Sequence, residues 1–298
     1  MDQYLRQLGI NINFPFSLIM AALIWARVLS VVSVVPFLFG KPVPRMVRVG
    51  VSMLLAVFLY PILVTSTSSQ PDIDTMKMFA LFLKEILFGL AIGFSASMIF
   101  YGFEAAGQMI DNQRGVSLAR ILIPELGEQS SISGAFLFQF AIVLFLSLGG
   151  HRFFLESFAH SYEVLPLLSF PESAAGLLPL LDLFMKMTGQ VLFISVQIAA
   201  PVIIAILIAD IILGVANRFA PQINVWELGF NIRGYLGVLL LFLSLTFIAR
   251  QLEHYTAVSK YNVNQTIEFL KGETPVLKEF EAVPLEESEK PHPVVPIP

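Results

Sequence analysis

GQMIDNQRGVSLARILIPELGEQSS, residues 107–131, is a polar island between two long apolar runs. It carries Asp111, Arg114, Arg120, Glu125 and Glu128 in a chain of 298 residues that is only 13% charged. The surroundings of the island set the fold class. The chain is 56% hydrophobic, contains 27 Phe and has a mean hydropathy of +0.77, too apolar for a soluble domain of this size. It reads as an all-α integral membrane protein, and the island as a long connector between two membrane helices. Long ordered connectors are disproportionately functional, so function is to be sought there.

Outward from the island, six segments approach the roughly 20 apolar residues that a helix needs to cross a bilayer. They are 14–39, 49–64, 78–101, 132–148, 191–215 and 235–248. The second, fourth and sixth are short, which points to helices sheltered by protein rather than lipid. These segments are expected to pack as hairpins, Gly89-x-x-x-Gly93 allowing close helix approach and Pro201 bending the fifth. Residues 1–250 form the helical domain and 251–271 extend the sixth helix as an exposed continuation. Residues 272–298, rich in Pro and Glu, are expected to be disordered. The N-terminal residues lack a basic n-region and a cleavage site, so the first segment reads as an uncleaved helix. The first connector holds Lys41, Arg45 and Arg48 without an acid, which places it on the cytoplasmic side and the N-terminus outside.

Composition excludes several chemistries. There is no cysteine, and the net charge of −4 has no basic block that would attract nucleic acid. The four histidines, His151, His160, His254 and His292, have no i, i+4 pair that would hold a metal on one helix face. No P-loop, dinucleotide fingerprint or nucleophile elbow is present. Ser130 and Ser131 read as a helix cap rather than as nucleophiles. We therefore expect no catalytic, cofactor or metal site.

Ionisable residues within membrane segments each cost about 2.5–3.5 kcal/mol on insertion scales. Arg27, Lys84, Glu85 and Asp210 are of this kind. Buried pairing between helices is the reading favoured over a proton or ion pathway, with Arg27 and Asp210 as one interhelical pair. Lys84 and Glu85 point about 100° apart on a helix, so they need partners from elsewhere. The pathway reading leads to the alternative function, a proton-coupled small-molecule transporter.

Five stretches in order resemble one family: ARVLSVVSVVPFLFGKPVPRMVRVG (26–50), GQMIDNQRGVSLA (107–119), GEQSS (127–131), SLGGHRFFLESFAHSYEVLPL (147–167) and NRFAPQINVWELGFNIRGYLG (217–237). Together they are similar to the FliR/SctT family, which includes SpaR- and YscT-like proteins of the bacterial type III secretion export apparatus. The resemblance covers about residues 14–250. Asp-Asn-Gln-Arg-Gly at 111–115 looks more like the injectisome branch than the flagellar one.

The resemblance implies a structural subunit of an export gate in the bacterial inner membrane, not an enzyme. Its implied partners are FliP/SctR-like, FliQ/SctS-like and FlhB/SctU-like subunits, with unfolded secreted proteins as cargo and the lipid membrane as surroundings. It further implies that hydropathic segments need not all cross the bilayer. By the same resemblance, Gln108, Asp111, Asn112, Gln113, Arg114 and Gly115 form a channel plug, with Gly107 and Gly115 as backbone hinges. Arg218, Pro221, Gln222 and Asn224 form a partner interface.

Overall fold

A computed structural model describes residues 14–38, 43–65, 74–116, 131–171, 177–222 and 224–272. The described residues form seven principal helices: α1 (Phe14–Val34), α2 (Arg45–Thr65), α3 (Thr75–Gln113), α4 (Ile132–Ser147), α5 (Gly150–Val164), α6 (Leu177–Phe219) and α7 (Val225–Lys271). Five of them, α1, α2, α3, α6 and α7, are long and apolar enough to cross a bilayer. A sixth candidate span is the pair α4 and α5, bent by 75° at a two-residue break. The expected disordered tail beyond residue 272 lies outside the described residues, as does the part of the island from 117 to 130.

The helices are longer than the apolar runs that announced them. At 1.5 Å per residue, α3, α6 and α7 are about 58, 64 and 70 Å long, against a hydrocarbon core of about 30 Å. Hydropathy registers where a helix is greasy, whereas a helix continues until its backbone is interrupted. Thus α6 starts well before residue 191, where Asp182 and Lys186 pair one turn apart at 2.8 Å, and it runs without a break through Pro201. α3 likewise extends beyond residue 101 to Gln113, so the first seven residues of the polar island are helix rather than connector.

α3 is the central element and packs against α1, α4, α6 and α7, while α2 packs chiefly on α1. Glycine sets the closest of these approaches. A Cβ on Gly89 would lie 2.6 Å from the carbonyl oxygen of Arg27, and one on Gly93 would lie 3.3 Å from Val34 Cβ. The Gly89-x-x-x-Gly93 pattern is therefore a contact face for α1. Where α1 ends, Phe37 gathers Phe100 of α3, Phe145 of α4 and Phe154 of α5 at ring separations of 4.7–5.6 Å. Such tilted and edge-on contacts contribute beyond their buried area.

Two elements differ from expectation. α5 was not announced by hydropathy, because polar and charged residues interrupt its apolar ones: Phe154, Phe158 and Tyr162 are buried while Glu156, His160 and Glu163 face outward. The bend before it requires Gly149, which has φ +76°. The second half of α7 is also not an exposed extension. Tyr255, Ser259, Asn262 and Thr266 follow one helical face and are buried. The Tyr255 hydroxyl donates to Gln197 Oε1 at 2.6 Å, Asn262 Nδ2 donates to Gln190 Oε1 at 3.2 Å, and the Thr266 hydroxyl lies 2.7 Å from that of Ser95.

The glycine contacts yield a test. Gly89→Leu places a side chain against backbone that cannot yield, and folded protein recovered from membranes should fall severely. Gly189→Ala, at an α6 position with nothing within 4 Å, should leave thermal stability equal or slightly higher, since alanine is the better helix former by about 1 kcal/mol.

Candidate functional site

The charged residues of the membrane segments come together in three places. At the first, Arg27 of α1 and Glu85 of α3 are fully buried and Lys84 is nearly so. Arg27 Nε and Nη2 both donate to the Glu85 carboxylate, Nη2 at 3.1 Å. Nη2 also donates to Leu165 O at 2.8 Å, and Nη1 to Ser161 O at 3.1 Å and to Ser161 Oγ at 3.4 Å. The five N–H groups of the guanidinium thus meet five acceptor contacts, and its face lies 4.3 Å from the centre of the Tyr162 ring.

Lys84 completes this centre. Its ammonium lies 2.9 Å from Glu85 Oε1 and donates to the carbonyls of Pro166, Leu167 and Ser169, each at 2.9 Å. The two side chains leave α3 in different directions, but the flexible lysine stem returns the charge to its neighbour. The centre holds two cations and one anion; the balance comes from carbonyl dipoles at the C-terminal end of α5 and the segment after it. Arg27 therefore pairs with Glu85 and not with Asp210, as the sequence reading had it.

Asp210 of α6 instead receives Arg233 Nε of α7 at 2.6 Å, forming the second centre. Sequence alone could not choose between these pairings, because both separate oppositely charged residues on different helices. The helix register decides. Arg233 lies about two turns into α7 and Asp210 about two and a half turns before the end of α6, so the two meet across the antiparallel pair.

The third centre is the junction of α3 and α4. A Cβ on Gly107 would lie 2.3 Å from Gly134 N, so the backbones of the two helices touch there. Gly107 is helical, which replaces its expected role as a hinge by one of close approach. One turn further along α3, Asp111 is 2% exposed and meets the start of α4. Its Oδ2 accepts from Ser131 Oγ at 2.6 Å and from Ser133 N at 3.0 Å. Its Oδ1 accepts from Ser133 Oγ at 2.5 Å and from Arg114 Nη1 at 3.1 Å. Ser131 caps α4 by accepting from Gly134 N at 2.8 Å. The carboxylate thus occupies the positive end of a helix whose first N–H groups lack internal partners.

The remaining residues of the expected plug are distributed around this clasp. Gln108 and Asn112 are exposed, Gln113 and Arg114 are half-buried, and Gly115 is buried with φ +84°, the left-handed turn that ends α3. Arg114 bends back over α7, its Cγ and Cδ lying against Gly237. Ser131, Ser133, Gly134 and Gly237 are site residues that sequence reasoning did not single out as such; of these only the capping role of Ser131 was legible. Arg218, in the last turn of α6, and Pro221, Gln222 and Asn224, between α6 and α7, are all exposed. Asn224 is the N-cap of α7, its Oδ1 accepting from Glu227 N at 3.4 Å.

A family model described as bacterial export proteins, family 1, matches residues 18–258. Among curated proteins, Yop proteins translocation protein T of Yersinia pestis is 36% identical over 198 residues, covering 66% of this chain and 74% of that protein. Surface presentation of antigens protein SpaR of Shigella flexneri is 32% identical over 233 residues, 77% of this chain and 86% of that protein. Flagellar biosynthetic protein FliR of Escherichia coli (strain K12) is 28% identical over 231 residues, 76% of this chain and 85% of that protein.

Two substitutions probe these centres. Glu85→Ala leaves two buried cations without their anion and should destabilise the protein by about 3–5 kcal/mol, seen as a large drop in the thermal midpoint of purified protein. Asp111→Asn retains the shape but turns an amide toward the donors of Ser131 and Ser133. Its expected loss is about 1.5–3 kcal/mol, smaller than that of Glu85→Ala in the same assay.

Proposed function

This chain belongs to family 1 of the bacterial export proteins, the FliR/SctT family of the type III secretion export apparatus, and on that premise we propose that it forms part of the export channel and of its plug. It is an export-apparatus subunit of the bacterial inner membrane. The identities above 30% to the Yop translocation and antigen-presentation proteins, against 28% to the flagellar one, agree with the injectisome character read from residues 111–115. In our reading the chain is a structural conduit rather than an enzyme. FliP/SctR-like, FliQ/SctS-like and FlhB/SctU-like subunits surround it, and unfolded secreted proteins pass along it.

The observation that carries this reading is a mismatch between exposed apolar surface and membrane thickness. Large apolar side chains are exposed on α6 from Leu178 to Phe219. That stretch is about 62 Å long, roughly twice the hydrocarbon thickness. Lipid covers at most half of it. The remainder, facing water, would be an apolar patch far larger than a solitary soluble surface carries, so other protein must cover it. The exposed stretch bearing Arg218, Pro221, Gln222 and Asn224 lies at one end of this face and is a candidate contact for those subunits.

For the plug, the support is chemical. The segment 108–115 joins exposed amides to a clasp of hydrogen bonds made by Asp111 and Arg114. Polar groups of this kind exchange partners with water on opening, so the difference in free energy between shut and open stays small. The transporter reading drew on the membrane charges. Arg27, Lys84 and Glu85 are instead engaged in fixed contacts with one another and with backbone carbonyls, which favours a structural role.

Removal of residues 108–115 in the fully assembled apparatus should raise the leak of small solutes across the inner membrane, at an unchanged amount of co-purified complex. An unchanged leak would refute the plug. Purification of this chain as a solitary, substrate-binding monomer from cells that express the partners would refute the channel itself.

A further inference from the structure

The turn that ends α3 rests on a single face of α7. A Cβ on Gly115 would lie 3.5 Å from the Phe230 ring, and one on Gly237 would lie 2.5 Å from Arg114 Cδ and 2.7 Å from its Cγ. Phe230, Arg233 and Gly237 are spaced i, i+3, i+7 and therefore share that face. Arg233 between them is tied to Asp210 of α6, which holds the face in place. Arg114 passes through the slot left by the missing side chain of Gly237 and reaches Asp111 Oδ1 and Ser133 Oγ, at 3.1 and 3.2 Å.

We propose that Gly237 is the positioning residue of the shut plug: its lack of a side chain lets Arg114 lie against α7 and close the clasp on Asp111 and Ser133. This inference rests on the reading of residues 108–115 as the plug. The glycine is not needed by the backbone, since Gly237 is in mid-helix without a positive φ. Nor does it admit another backbone, because what it touches is Cγ, Cδ and Nε of one flexible side chain. Its value is the space it leaves.

The shut state is thus held by the Arg114 Nη1 bonds to Asp111 and Ser133 and by the close fit at Gly237.

The test is Gly237→Ala in the assembled apparatus. Alanine is favoured in a helix interior, and the atoms it displaces belong to Arg114, so assembly should be intact. The leak of small solutes should rise roughly tenfold, the change that corresponds to losing one charge-assisted hydrogen bond. Arg114→Ala should raise it similarly, and the double variant should leak no more than Arg114→Ala alone, because the displaced group is already gone. A merely structural effect of the alanine would add to the effect of Arg114→Ala.

The chain has no cysteine, so Gln113→Cys provides a single thiol at the turn. A membrane-impermeant maleimide should label it faster when Gly237→Ala is also present, a readout that does not require the leak assay. Equal leak and equal labelling with and without Gly237→Ala would overturn the seat. If removal of residues 108–115 still caused leakage, the plug would survive that result; if it did not, the plug itself would be at fault.

Discussion

A charge that has left water must find every partner within the protein, and the arrangement of this bundle follows from how Arg27 and Lys84 meet that demand. Arg27 finds its carboxylate 58 residues away and its carbonyls 134 and 138 residues away. Lys84 collects three carbonyls from the segment after α5. Breaking a buried pair is far more damaging than the pair is stabilising, so these contacts act chiefly to forbid alternatives. α5 is anchored by Phe154, Phe158 and Tyr162, and its C-terminal carbonyls are held where two cations require them.

Close approach of backbones is the second constraint, and glycine provides it where α3 meets α1 and α4. Gly89 and Gly93 admit α1, while Gly107 meets Gly134 at the start of α4. These contacts bring polar groups within reach of one another. Without the approach at Gly107, Asp111 would not meet the first N–H groups of α4. Aromatic packing around Phe37 then fills the space where α1, α3, α4 and α5 converge. The second half of α7 adds hydrogen bonds to the buried apolar contacts of Leu252, Val263 and Ile267.

The three charged centres differ in how completely they are sealed. The Arg27 centre is buried and every guanidinium donor is met. The Asp210–Arg233 pair is partly exposed, with side chains 25% and 34% accessible. The Asp111–Arg114 centre lies between these, its carboxylate buried but its arginine half-buried. Sealing is thus greatest in the middle of the bundle and decreases through the island centre to the Asp210–Arg233 pair.

Composition by itself determined the membrane class and the all-helical fold, because a backbone in lipid has few other ways to satisfy its polar groups. The order of motifs determined the family. The glycine pair of α3 and the cap at Ser131 were legible too, since both are local rules of spacing. The ends of α3, α6 and α7 were not, because helices continue through polar residues that hydropathy counts against them. Nor was α5, whose apolar residues are interrupted by Glu156, His160 and Glu163. The pairing of Arg27 with Glu85, the clasp on Asp111 and the slot at Gly237 were decided only by tertiary structure: each depends on the rotation of one helix relative to another, which no single segment encodes.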